Sequence, residues 1–151
     1  MLPETRQRVR LHTDRRVNAQ VDQRIEENVQ RYGRDRKTIE RRLKALDREW
    51  DIERALEANA ASFALLGLGM GLMVDRRWFI LPVAVAGFLL QHATQGWCPP
   101  VPVLRRLGFR TEGEIGEERA ALKAMRGDFT RIGQAVAPDI RATEAVYAAR
   151  L

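Results

Sequence analysis

The chain has one cysteine, two histidines and two tyrosines in 151 residues. A single cysteine, Cys98, excludes an intramolecular disulfide framework and any zinc site built from several cysteines. His12 and His92 lie far apart without companions at metal-ligand spacing, so neither a metal nor a cofactor is expected. The sequence also lacks paired catalytic carboxylates, a Ser-His-Asp set, a phosphate loop and a dinucleotide fingerprint. The run Gly67-x-Gly69-x-Gly71 sits in apolar sequence with no phosphate-loop context after it. No catalytic residue is assigned, and the chain does not read as an enzyme.

Large apolar residues are scarce except in the middle of the chain, where two apolar runs stand back to back. The first is Ala60–Val74 and the second Trp78–Thr94, separated by Asp75, Arg76 and Arg77. Charge is segregated around them. Residues 1–55 hold 15 basic and 11 acidic residues, residues 56–98 hold two of each, and residues 99–151 hold nine and seven. Both flanks therefore carry mixed charge with a modest basic excess, which suits helices beside an anionic membrane surface. Because bases alternate with acids, nucleic acid is not an expected partner.

At about 1.5 Å per residue, the first run is about 22 Å long, or about 28 Å if it starts at Leu56, and the second about 26 Å. A hydrocarbon core is about 30 Å thick, so both are short spanning segments within the tolerated range. The expected fold is all-α: a two-helix transmembrane hairpin flanked by amphipathic and charged helices. Three segments follow from composition. Residues 1–55 form a charged helical arm, 56–98 the hairpin, and 99–151 a proline-rich turn with amphipathic helices. The apolar sequence begins too late for a signal peptide, so no cleavage is expected.

Gly67 and Gly71, four residues apart, offer a small-residue surface that lets helices approach closely in lipid. Ala84, Ala86 and Gly87 offer the counterpart on the second helix. Trp78 and Trp97 bracket that helix as interfacial anchors, and Trp50 precedes the first. Basic residues outside the hairpin (Arg48, Arg54, Arg105, Arg106, Arg110) outnumber Arg76 and Arg77 in its loop. By the positive-inside rule both termini are expected in the cytoplasm.

In the N-terminal arm Thr13 is a candidate cap for a helix whose stripe is Val17, Val21, Ile25 and Val29 and which stops at Tyr32-Gly33. Ile39, Leu43, Leu46 and Trp50 form a short coiled-coil-like fragment. With no proline or glycine between Arg34 and Gly67, that helix is expected to run on into the membrane. Pro99, Pro100 and Pro102 argue against helix after the hairpin. Thr111 and Glu114 match a capping box before a helix striped with Ile115, Leu122, Met125 and Phe129. Pro138 with Asp139 opens a last helix ending near Arg150.

The order of these features resembles the YgaP-type inner-membrane hairpin family. The resemblance rests on two short membrane helices, then Gly96-Trp97-Cys98-Pro99, then Leu107-Gly108, and covers roughly residues 56–110. That family is a bacterial domain of unknown function, sometimes fused to a rhodanese sulfurtransferase. The resemblance implies a bacterial inner-membrane location and no established activity.

Two functions are expected from different classes. The first is a non-enzymatic membrane anchor or scaffold that binds lipid, self-associates as a dimer and engages a cytoplasmic protein. The second is a thiol or sulfur-handling protein that uses Cys98 beside a separate sulfurtransferase. Against the second, Pro99 and Pro100 remove two nearby backbone donors, no glycine-rich cradle follows, and no second cysteine resolves an intermediate. The Cys98-Pro99 pair could also ligate haem, with His92 as a second ligand, but the motif is short and no haem is expected.

Overall fold

The computed structural model describes residues 7–130, 132 and 138–150. It is all-helical, with no strand among the described residues. The helices are α1 (Arg8–Leu11), α2 (Arg15–Tyr32), α3 (Arg36–Leu46), α4 (Ile52–Met73), α5 (Ile80–Gln95), α6 (Val101–Arg106), α7 (Glu112–Arg126) and α8 (Pro138–Arg150). A 3₁₀ turn, Arg76–Phe79, joins α4 to α5. The chain divides into two compact units, residues 1–22 with 50–114, and residues 23–49 with 115–151.

In the first unit α4 and α5 lie antiparallel. Asp51 starts α4 by accepting from the Arg54 N–H, and Asp75 starts the 3₁₀ turn by accepting from the Arg77 N–H. Gly96, at φ +77°, ends α5, its N–H bonded to the His92 carbonyl at 2.8 Å. Past that turn, Val9, Ile52, Ala55, Leu56, Cys98, Val101 and Leu104 form a small buried core, with Phe109 against it. This core sits only at the open end of the hairpin. Along the rest of their length, α4 and α5 expose Phe63, Leu65, Leu66, Leu72, Val83 and Leu90, among others.

Among the described residues one helix, α4, is long and apolar enough to cross a membrane by length and composition, and only 17% of its apolar window is buried. α5 has 16 residues, about 24 Å of helix.

In the second unit α3 and α7 bring their apolar stripes together. Ile39, Leu43, Leu46, Ile115 and Leu122 are buried in one cluster, and Val29 and Tyr32 pack against it. Glu118, fully buried, accepts from Arg42 Nε at 2.6 Å and Asn28 Nδ2 at 3.2 Å. The apolar stripes of α3 and α7 thus meet inside one chain. In α2, Val21 and Ile25 are also buried.

Three local expectations need correction. The helix begun at Arg36 does not continue into the apolar run: it ends at Leu46, and Asp51 caps a new helix, because an aspartate side chain that bonds the N–H three residues on favours a fresh start. The cap of α2 is Asp14, which accepts from the Arg16 N–H at 2.7 Å, whereas the Thr13 hydroxyl donates back to the Val9 carbonyl. Finally, the proline segment does hold a short helix, α6, with Pro100 at its N-cap and Pro102 in its first turn. Prolines are tolerated there because first-turn N–H groups have no intrahelical acceptor.

The capping box is formed. Thr111 N–H donates to Glu114 Oε2 at 2.8 Å and Glu114 N–H to Thr111 Oγ1 at 3.2 Å. α2 stops at Tyr32, and α8 has the bounds read from Pro138 and Arg150. In α7, Met125 is exposed and Phe129 is half-buried past the helix end.

Candidate functional site

The open end of the hairpin gathers the chemistry of the first unit. Glu53 stands in the first turn of α4 and His92 in the last turn of α5. Antiparallel packing brings them together, with His92 Nε2 2.6 Å from Glu53 Oε2. Arg8 of α1 donates to the other carboxylate oxygen at 3.1 Å. α1 reaches this point because Gly96 leaves room: a Cβ there would stand 2.5 Å from the Arg8 Cβ. His92 is buried, and its Nδ1 has no partner. The three side chains clasp the ends of two apolar helices and the N-terminal arm at one place.

A second polar knot lies beside it. Arg105, 1% exposed, donates from both terminal nitrogens to Glu114, at 2.6 and 2.8 Å. Arg10 reaches the same carboxylate at 2.9 Å and holds Asp22 with two bonds of 2.8 Å. Desolvation pushes the Glu114 carboxyl up. The bonds from Arg105 and the Thr111 N–H, with the charges of Arg105 and Arg10, outweigh it and hold the group below its ordinary value of 4.5. Asp22 is likewise held down, first by its hydrogen bond from Arg10. Ion pairs this short satisfy charges that would otherwise be costly to bury.

Cys98 is 3% exposed, three residues beyond the end of α5. Burial pushes its thiol up, and the charge of Glu53 adds to that, against one opposing bond from the Val101 N–H. Arg105, near in sequence, is turned toward Glu114 instead. A low-pKa thiolate needs a neighbouring cation or helix N-terminus. The start of α6 supplies one N–H, from Val101, which burial outweighs, and neither Arg105 nor Arg106 is among the groups acting on this thiol. Cys98 also lines an apolar groove of about 560 Å³, with Phe63 of α4, Phe88 of α5 and Val103 of α6.

The packing seam of the hairpin runs through two glycines. A Cβ at Gly67 would stand 2.5 Å from Pro82 Cδ, and one at Gly71 would stand 2.8 Å from the Phe79 ring. Both glycines are buried. Ala84 and Gly87 are exposed, and a Cβ at Gly87 would meet nothing within 4 Å. The short loop forces this choice: it pairs the end of α4 with Phe79 and Pro82, at the start of the second arm. Trp50 and Trp78 are exposed and Trp97 is half-buried. The Arg54 guanidinium stacks 4.7 Å from the Trp50 ring.

Sequence reasoning missed both polar clusters. The only local signal was the proximity of Arg105 to Glu114 and of Glu53 to a helix start. Among the described residues no group of three or more His, Cys, Asp or Glu side chains stands in a metal-binding arrangement. Comparison with known proteins gave no match: no family profile, no curated protein and no solved structure matches the chain.

Proposed function

We propose that this protein is an inner-membrane hairpin of the YgaP type that serves as a non-enzymatic anchor or scaffold. In this reading α4 and α5 insert together, with the 3₁₀ turn extending the shorter arm, and both termini are cytoplasmic. The observation that carries the reading is the apolar surface of the two helices. In α5 only His92 is buried, and Phe63, Leu65, Leu66, Leu72, Met73, Ile80, Val83 and Leu90 are more than half exposed. An apolar surface this extended is not left to water, and lipid covers it.

The open end supports the same placement. Polar and ionic groups gather at Glu53, His92 and Arg8, where a hairpin would leave the bilayer. Trp50, Trp78 and Trp97 stand near the two ends of the apolar segment, as interfacial anchors do. The kinship with the YgaP type rests on Gly96-Trp97-Cys98-Pro99, which forms the turn after α5, and on Leu107-Gly108 at the end of α6.

For orientation, Arg105 and Arg110 are buried, which leaves Arg48, Arg54 and Arg106 exposed in the sequence flanking the hairpin, against Arg76 and Arg77 in the loop. The positive-inside margin narrows but keeps its sign. Ala84 and Gly87, unused inside the chain, give a small-residue surface on which a second copy can pack closely. A cytoplasmic protein partner belongs to the same reading. Sulfur chemistry at Cys98 lacks support, since a buried thiol with a raised pKa is a poor nucleophile.

Carbonate-washed membranes from cells expressing the protein test the reading. Retention in the washed membrane is the expected result. Recovery in the soluble fraction would overturn it.

A further inference from the structure

α3 spends its apolar face on the core and turns a row of cations outward. Lys37, Arg41 and Lys44 recur at intervals of four and three residues, hence on one face of the helix, and Arg48 follows at the next interval in the turn beyond Leu46. All four are exposed, opposite buried Ile39, Leu43 and Leu46. They line one shallow surface depression with Glu40 and Ala45.

The acids around this row are engaged elsewhere. Glu40 pairs with Arg36 at 3.2 Å, Asp47 with Arg119 at 2.9 Å and Glu49 with Arg42 at 3.8 Å, while Asp35 caps the helix by accepting from the Thr38 N–H. Among the described residues, no ion pair takes up Lys37, Arg41, Lys44 or Arg48. In sequence the charges of the arm alternate. The fold sorts them, so that four cations share one face without an ion-pair partner, with Glu40 the one acid among them.

We infer that this face binds the anionic headgroups of the membrane leaflet from which α4 enters. The inference rests on the membrane reading above. Arg48 stands four residues before Ile52, no more than about 14 Å of extended chain. A tether that short makes contact with a charged surface effectively intramolecular. The face carries no aromatic side chain on which a base could stack, and Glu40 interrupts it. Both features suit a diffuse anionic surface better than nucleic acid. Because its apolar residues are already buried in the core, the helix has nothing to insert, and the attraction is purely electrostatic.

The test uses the full chain with Cys98→Ala and Ala45→Cys, carrying a fluorophore at position 45 beside the row. It is reconstituted in phosphatidylcholine vesicles with or without phosphatidylglycerol, each containing a headgroup-linked quencher. Quenching is expected to be several-fold stronger with phosphatidylglycerol and to vanish near 1 M salt, where screening acts within about 3 Å. Lys37→Gln and Lys44→Gln should each lower the occupancy about fivefold. Equal quenching in the two lipids overturns the proposal, as does a signal that responds to added single-stranded RNA but not to lipid charge. Flotation reads the hairpin separately. Protein that floats with neutral vesicles after a carbonate wash upholds insertion. Protein that floats only with anionic vesicles, in a salt-sensitive way, upholds the basic face while the hairpin reading fails.

Discussion

His92 Nε2 lies 2.6 Å from a Glu53 carboxylate oxygen, joining the last turn of α5 to the first turn of α4 across 39 residues of chain. Arg8 closes the arrangement from the N-terminal arm. The clasp fastens the two helix ends that the short loop already brings together. His92→Ala should therefore loosen the open end, because it leaves Glu53 with Arg8 alone. The expected loss is about 1–3 kcal/mol, read as a lower midpoint for thermal loss of helix in detergent. In a double-mutant cycle, Glu53→Gln and His92→Ala should be non-additive. Additive losses would mean that the two side chains act independently.

The glycines of α4 should separate cleanly. Gly67→Ala places a methyl group 2.5 Å from Pro82 and is expected to destabilise the hairpin by about 1–3 kcal/mol through overpacking. Gly69→Ala meets nothing within 4 Å and should instead stabilise the helix by about 0.5–1 kcal/mol. Circular dichroism melts of the two variants in the same detergent decide the point. Equal behaviour would show that the seam at Gly67 can open without cost.

Glu114 makes the fold acid-sensitive. Its folded pKa is held below its ordinary 4.5, so the unfolded chain binds the proton more readily. Its contribution is fully present above pH 4.5 and is lost as pH falls through the folded value. Acid titration of helix content should show a transition below pH 4.5 that Glu114→Gln diminishes, the remainder belonging to carboxyls such as Asp22 that are also held down. At neutral pH that variant should be less stable by about 3–5 kcal/mol, because Arg105 is left buried without its counter-charge. A pH-independent wild type would refute the assignment.

Cys98 should behave as a packing residue. Alkylation by a maleimide is expected to be slow in the folded protein and fast after denaturation, since the thiol is buried and its pKa raised. Cys98→Ala should fractionate between membrane and soluble phases as the parent protein does after a carbonate wash. Rapid alkylation of the folded protein, or a persulfide on Cys98 after treatment with a sulfur donor, would reopen the sulfur-handling reading.

The valine stripe of α2 is buried at Val21 and Ile25. Val21→Asp and Ile25→Asp should therefore lower the folding stability of the single chain, as expected for an unpaired charge placed in the interior. Protein concentration should not change the size of the effect. A loss that disappears at high concentration would point to an interface between copies instead.

Features set by residues within about four positions of one another were legible in the sequence. The Thr111–Glu114 capping box, the stop at Gly33, the opening of α8 at Pro138 and the two apolar runs all depend on local bonding or local hydropathy. Where two local signals competed, the weaker reading was easy to choose. Aspartates at 14 and 51 took caps that a threonine or a continuous helix had been expected to hold. The prolines near 100 looked like breakers but stand at a helix start, where they cost little.

Taken alone, the sequence determined that the chain is helical, where its apolar segments lie and that charge avoids them, because hydropathy and helix-end bonding are properties of neighbouring residues. Only the tertiary structure decided which charges pair, which glycines carry a close contact and where the stripes of α3 and α7 go. Glu53 meets His92 and Arg8, and Arg10 meets Glu114, over separations of 39, 45 and 104 residues. Such pairings exist only once helix ends have been brought together, and hydropathy does not encode which ends those are. The same holds for the cations of α3: they alternate with acids along the chain, and they form a bare row only after helix geometry and the ion pairs of neighbouring acids have sorted them.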